Sequence, residues 1–420
     1  MIVQRESMNR FGEIFFACLP VLMIVLLISC SSHVRTASPQ MPQDSESNLT
    51  PHSAALSEMT WETFQGEVRN YVKTRDIISG IMEEYKVSGI SIILTQKKFG
   101  RHSPMTYSFY LGVENPHTGK PIDGQTVFQA GRLGQPVFAY FVMRLFSGGW
   151  FNVNRPLYKY LPKPLPDYPA YQDLKGDSRY KRLTARLILS HQSGLVNSRL
   201  THPEHRLTFE TSPGKSFRYS EEGYRLLQFV LEQRFGRSLN DLAKSFVFDP
   251  LSMKDTSFVR EPRFEGHFAI ANGGGEDLKN LASDVSKTFI TNAKDYADFI
   301  WPVMIHGGTL NPVTCGPYFL PEVSVHSPTI LEPPNPGNHP AIPKELSWCM
   351  GWGTYLIPRS RAYFIGHRHQ GIEYYATIFD SRRTAVSIFV IGNVQHSVTA
   401  RILREIVGEV ETPLKWLGFE

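Results

Sequence analysis

The sequence predicts an α/β fold in which one sheet is assembled from the two ends of the chain, with helices inserted between them. Three observations lead there. Runs rich in β-branched and aromatic residues lie near the ends, at 90–94 and 106–113 early and at 374–379 and 385–391 late. Helix-period patterns occupy the middle of the chain. Residues 380–383 between the last two runs read as a hairpin turn, and strands at both ends with helices between suggest a shared sheet.

The elements follow in order. Apolar positions Phe64, Val68, Tyr71, Val72, Ile77, Ile78 and Ile81 predict a helix from near Trp61 to about Tyr85. Asn115-Pro116 and Thr118-Gly119 mark a turn after the second strand. Residues 137–146 are almost wholly apolar and predict a buried helix. Five prolines between 156 and 169 make residues 150–180 loop-like. Helices are expected at 183–189, at 222–235 with Gly236 as C-terminal glycine, and at 239–246. Residues 305–345 are rich in Pro and Gly and read as irregular. A last helix is expected over about 398–410. No internal repeat is present.

The 420 residues are 41% hydrophobic and 20% charged, enough apolar material for a sizeable core. The formal net charge is only +5 and no Lys/Arg run stands out, so nucleic acid is not an expected partner. Near the N-terminus a short polar start, Met8-Asn9-Arg10, precedes an apolar run over 14–28. That run is short for a membrane-spanning helix and has the shape of a secretory signal. Leu27-Ile28-Ser29-Cys30 resembles the bacterial lipobox, in which the cysteine is lipidated. Residues 1–29 are therefore expected to be a lipoprotein signal peptide, and residues 30–60, rich in Ser, Pro, Gln, Asn and Thr, a flexible tether. Residues 61–420 form the expected folded domain. Ser31 follows Cys30 where a retention aspartate would sit, which favours the outer membrane and a domain facing the periplasm. Cys315 and Cys349 belong to the domain. A bridge between them would add about 3–4 kcal/mol in the chain-entropy picture. Two separate buried thiols are the other reading, and the sequence leaves both open.

A series of motifs carries a resemblance. Phe128 stands four residues before Arg132, ahead of the buried helix. Gly149 through Pro162 is followed by Thr184, Leu187, Leu189 and His191-Gln192-Ser193-Gly194-Leu195. Then come Pro213-Gly214, Phe217-Arg218-Tyr219-Ser220, Asp249-Pro250-Leu251-Ser252-Met253, Gly351-Trp352-Gly353 and Asn393. In this order, over roughly residues 60–410, they resemble the serine β-lactamase/penicillin-binding-protein family, in particular its class C β-lactamase-related serine hydrolases. The resemblance implies an α/β (α+β) fold of β-lactamase/transpeptidase type. Its antiparallel sheet would be flanked by helices, with a helical lobe over about 137–300 and the active site between.

Acyl transfer to serine needs a hydroxyl, a base and oxyanion donors. The family supplies the first two with Ser-x-x-Lys, whose spacing puts both on one helical face. The matching positions here are Arg132 and Gln135. Arginine has no nucleophilic hydroxyl, and glutamine is no base near neutral pH. The family's Tyr-x-Asn reads Tyr219-Ser220-Glu221. Glu221 opposite Arg132 predicts a salt bridge across the pocket. The third motif has two registers, His369-Gln370-Gly371 and His367-Arg368-His369. The first is preferred because glycine lets a substrate approach the backbone. Ser178-Arg179-Tyr180-Lys181 and Ser212-Pro213-Gly214-Lys215 also spell Ser-x-x-Lys, but neither precedes the buried helix.

The expectation is a non-hydrolytic, penicillin-binding-like lipoprotein without cofactor or metal site. Arg132, Ser220 and His367 are its candidate ligand contacts, and its partner is a peptidoglycan stem peptide or a protein. The alternative is an active β-lactamase, D-Ala-D-Ala carboxypeptidase or esterase with a displaced nucleophile.

Overall fold

In the computed structural model the two ends of the chain meet in the middle of one sheet. Residues 56–97, 103–271, 281–326, 330, 345–357, 360–369, 371–380, 383–392 and 398–419 are described. The expected signal peptide, Cys30, the tether up to residue 55, Gln370 and Asn393 lie outside them.

The strands, in chain order, are β1 (Thr60–Glu62), β2 (Val68–Asn70), β3 (Gly89–Gln96), β4 (Met105–Asn115), β5 (Lys120–Pro121), β6 (Phe128–Gln129) and β7 (Ile290–Thr291). They continue with β8 (Val323–Ser324), β9 (Ser347–Trp348), β10 (Gly353–Ile357), β11 (Ser360–His369), β12 (Ile372–Phe379) and β13 (Thr384–Ile391). Nine of them form an antiparallel sheet in the order β5-β4-β3-β13-β12-β11-β10-β9-β8. β3 and β13 pair along their whole length, from Gly89 opposite Ile391 to Gln96 opposite Thr384. Every residue of β3, β12 and β13 is buried, as expected of central strands that are continuous hydrophobic runs. The sheet from both chain ends is thus as the sequence predicts.

Several boundaries move for local reasons. The helix expected from Trp61 begins only at Tyr71 and runs Tyr71–Tyr85. Residues 60–70 instead make the β1–β2 pair, with Gly66 in the left-handed region at φ 82°. Asn70 caps the helix by accepting from the Lys73 amide at 3.1 Å. Trp61 is held in the core, its ring against Tyr107 and its Nε1–H donating to Ile406 O at 2.7 Å. Within residues 305–345, expected to be irregular, Asn311 caps a helix, Pro312–Phe319. A further helix, Ala293–His306, packs on β3 and β13. The disulfide is not formed: Cys315 and Cys349 are free thiols. Cys349 is buried and its thiol donates to Phe319 O at 3.2 Å. Burial pushes the Cys349 thiol far above its ordinary range.

The buried helix is Gly134–Ser147, with residues 134–143 and Leu145 all buried. Phe138, Tyr140 and Phe141 meet Tyr224, Tyr318 and Phe246 across it. A single 3₁₀ turn, Gly131–Leu133, leads into it. That turn lies against β11 and β12, which fixes Arg132 at the junction of helix and sheet.

Candidate active site

Arg132 is 5% exposed and each of its three guanidinium nitrogens has a partner. Nε and Nη2 donate to Glu221 Oε1 at 3.3 and 3.1 Å, and Nη1 lies 3.1 Å from His367 Nδ1. The guanidinium carbon sits 4.7 Å from the centre of the Tyr219 ring. Burial works against the charged guanidinium, but Tyr219, Glu221 and Tyr374 around it raise its pKa, so Arg132 stays a cation. The salt bridge expected between Arg132 and Glu221 is therefore present. Glu221 is shared: its Oε2 accepts from Arg225 Nη2 at 3.2 Å, one turn along the helix Glu221–Phe235. Arg225 Nε in turn donates to Asp284 Oδ2 at 2.8 Å.

Gln135, wholly buried, donates from Nε2 to Tyr219 Oη at 2.9 Å. Burial pushes the Tyr219 phenol far up, despite the opposing pull of Arg132. A neutral phenol that already accepts a hydrogen bond is no general base. His191 supports it from behind, its ring 4.3 Å from that of Tyr219 and its Nδ1 accepting from the Ser220 amide at 3.2 Å. Burial, with Arg132 nearby, drives the His191 imidazole well below its ordinary range and keeps it neutral.

The backbone amide of Arg132 is engaged as well. In acyl transfer the nucleophile's own backbone N–H is a frequent oxyanion donor. Here the Arg132 amide donates to the Tyr374 hydroxyl at 3.1 Å. Gly131, at φ 36°, makes room for it: a Cβ there would lie 2.8 Å from that hydroxyl.

Some expected site residues fall elsewhere. Ser220, a candidate ligand contact, has no free hydroxyl. It caps the Glu221–Phe235 helix by accepting from the Gly223 amide at 3.0 Å and donates to Val196 O at 2.8 Å. Of the two histidine registers, it is His367-Arg368-His369 that faces Arg132. Gly371 lies past the end of β11, at φ 75°, where its carbonyl accepts from the Gly392 amide. β11 continues through His369, opposite Ile372 of β12, and His369 lines the same cavity as His367. Burial and Arg132 keep His367 neutral, with a pKa well below the ordinary value.

Arg132, Glu221, His367 and His369 line a cavity of about 140 Å3. Ser178 and Ser212 do not line it. Gln129, Arg225, Ser286, Lys287 and Tyr374 do, and sequence reasoning missed all five. Arg225 alone left a signal, one helical turn from Glu221. The others reach the cavity through strand pairing that no local pattern reveals. Among the described residues, no group of three or more His, Cys, Asp or Glu could hold a metal ion.

An antiparallel sheet flanked by helices, with a pocket where the turn before the buried helix meets the sheet, defines a β-lactamase/transpeptidase-like protein. The β-lactamase family model matches residues 74–347, and the chain belongs to that family. Esterase EstB of Burkholderia gladioli is 24% identical over 185 residues, which cover 38% of this chain and 45% of the esterase. The chain thus matches less than half the length of that relative. A class C β-lactamase from Rhodobacter sphaeroides shares the fold at a TM-score of 0.60 and 16% identity, over 80% of this chain and 98% of that one. The D-alanine carboxypeptidase AmpC from Burkholderia cenocepacia does so at 0.59 and 18%, over 81% and 100%.

Proposed function

We propose that this chain is a non-hydrolytic member of the β-lactamase family, lipid-anchored through Cys30 and facing the periplasm, whose cleft binds the end of a peptidoglycan-type peptide. One observation carries the reading: the nucleophile position holds Arg132, whose side chain is locked to Glu221 and His367 and whose backbone N–H is capped by Tyr374. Nucleophile, base and oxyanion donor are each replaced or blocked. The carboxypeptidase among the solved structures of this fold supports a peptide as ligand. A protein partner on the same face is the other occupant, and competition between the two would separate them.

The active-hydrolase reading needs another nucleophile. Ser286 is the serine on the cavity wall, and its Oγ has no hydrogen-bond partner among the described residues. A serine with no base at hydrogen-bond distance is not activated.

Intact mass after incubation with β-lactams and a fluorophosphonate tests the reading. No adduct is expected on the wild type. An adduct would overturn the proposal, and peptide mapping would name the nucleophile. The Arg132→Ser/Gln135→Lys variant should acylate, and adding Tyr374→Phe, which frees the amide, should speed it. Anchoring is checked separately: metabolic labelling with a fatty acid should vanish in Cys30→Ala.

A further inference from the structure

We propose that the turns around Lys159 and Lys181 form a docking surface for an acidic polysaccharide, a hydrated polymer with carboxylates or phosphates along its chain. None of these residues lines the cavity beside Arg132, and the surface does not depend on the reading of the cleft.

Charge is concentrated here. Over the whole chain 44 Lys and Arg stand against 39 Asp and Glu. Residues 155–182 hold seven Lys or Arg against three Asp. Two of the three are already paired, Asp177 with Arg179 at 2.7 Å and Asp173 with Arg206 at 3.6 Å. Arg155, Lys159, Lys163, Lys175, Lys181 and Arg182 are all exposed, and none has an ion pair among the described residues.

Folding draws the segments together. The 3₁₀ turns Leu157–Tyr160 and Ser178–Arg182 lie side by side. The Leu157 amide donates to Leu183 O at 2.8 Å, and Pro156 bridges to Thr184. The Tyr158 and Tyr180 rings meet at 6.4 Å. Arg182 Nη2 donates to Pro213 O at 3.1 Å, which brings the exposed Lys215 alongside. Buried Leu157, Leu165, Leu174 and Leu183 root these turns in the core, so the cations stand on fixed backbone. Crowded like charges repel one another and raise the local potential, which draws an anionic partner.

Composition selects the class of partner. Counting Lys215, five of the seven exposed cations are lysine. Lysine is depleted in protein–protein interfaces and keeps a strongly hydrated head, which suits a wet polyanion. No large exposed hydrophobic residue lies between 155 and 182, so nothing there enters a lipid layer. Trp150, the nearest in sequence, sets its ring against Phe246 at 5.2 Å. The tyrosine rings are covered too. Tyr160 lies against Phe151 and Arg155, and Tyr168 against Phe229 and Lys163. Nucleic-acid bases thus find no open ring to stack on. An extended polymer with anionic groups along it fits the cations that remain.

The test is titration of the full chain in detergent with sodium polygalacturonate, a phosphomannan and neutral dextran. An acidic polymer should bind in about 50 mM salt and dextran should not, and the two acidic arms tell carboxylate from phosphate. About 300 mM salt should weaken binding at least tenfold, because exposed charges are screened. Lys159→Glu/Lys175→Glu/Lys181→Glu should also weaken it at least tenfold. Lys73→Glu/Lys254→Glu/Lys415→Glu makes the same charge change at exposed lysines elsewhere and should leave it within about twofold. If the glutamates unfold the chain, glutamines at the same positions decide. No binding of either acidic polymer would overturn the proposal. So would equal loss in the two triple variants, which would reduce the effect to net charge. Displacement of the polysaccharide by micelles doped with phosphatidylglycerol would overturn it too, and assign the surface to lipid.

Discussion

At the scale of single residues, Arg132 and Glu221 form a pair that neither partner can leave cheaply. Their side chains are 6% and 16% exposed, and removing one partner of a buried pair strands the other charge. Arg132→Ala should cost about 3 kcal/mol in urea unfolding, the low end of the usual range because Glu221 keeps Arg225. The double variant Arg132→Met/Glu221→Leu should cost at least 1 kcal/mol less than the sum of its singles. Strict additivity would show that the pair is not coupled. Glu373, wholly buried on β12, behaves differently. Burial pushes its carboxyl from 4.5 up to about 7, although Arg368 at 3.1 Å pulls it down. Asp295 is pushed from 3.8 to about 6, also by burial. Folded pKa values above the unfolded ones mean the native state holds extra protons. Their contribution is complete at low pH and is lost as pH rises, through about 6 for Asp295 and about 7 for Glu373. Stability should therefore fall between pH 4.5 and 8 from these groups, with Glu373 contributing about 3 kcal/mol. Glu373→Gln, followed by chemical unfolding across that range, should flatten the decline by a similar amount.

At the scale of elements, Ser220 is the hinge between the tyrosine motif and the Glu221–Phe235 helix. Ser220→Ala removes the cap and leaves Val196 O without its donor. The expected loss is about 1–2 kcal/mol, read as a lower melting temperature. The same element shows what a sequence can disclose. Gly236 marks the end of the helix in the sequence, and the expected 222–235 differs from Glu221–Phe235 by one residue at the start, where Ser220 is the cap. The Ala293–His306 helix escaped because Pro302 lies inside it. β11 escaped because Arg361, Gly366, His367, Arg368 and His369 interrupt its apolar pattern, although it is bonded on both sides. In the site, Arg132, Gln135, Tyr219 and Glu221 were legible because ordered motifs carry them. Gln129, Ser286 and Tyr374 were not. They meet only because β6 pairs with β7 and β12 runs beneath the Gly131–Leu133 turn, and that is tertiary information.

At the scale of the whole molecule, the sheet has a protected centre and short margins. β3, β13 and β12 are bonded on both sides over eight residues each, whereas β5, β8 and β9 have two residues apiece. Native-state hydrogen exchange should find the slowest amides in β3, β12 and β13, with β8 and β9 exchanging orders of magnitude faster. Uniform exchange across the sheet would contradict this.

The β3–β13 pairing also sets an order of events in biogenesis. A chain made or threaded from its N-terminus presents residues 89–96 long before residues 384–391 arrive. Until then a strand that is interior in the finished sheet is an open edge on a growing polypeptide, able to pair with the wrong neighbour. The arrival of residues 384–391 is thus the step that closes this part of the sheet, and a ribosome stalled before residue 384 would release a chain with that edge uncovered.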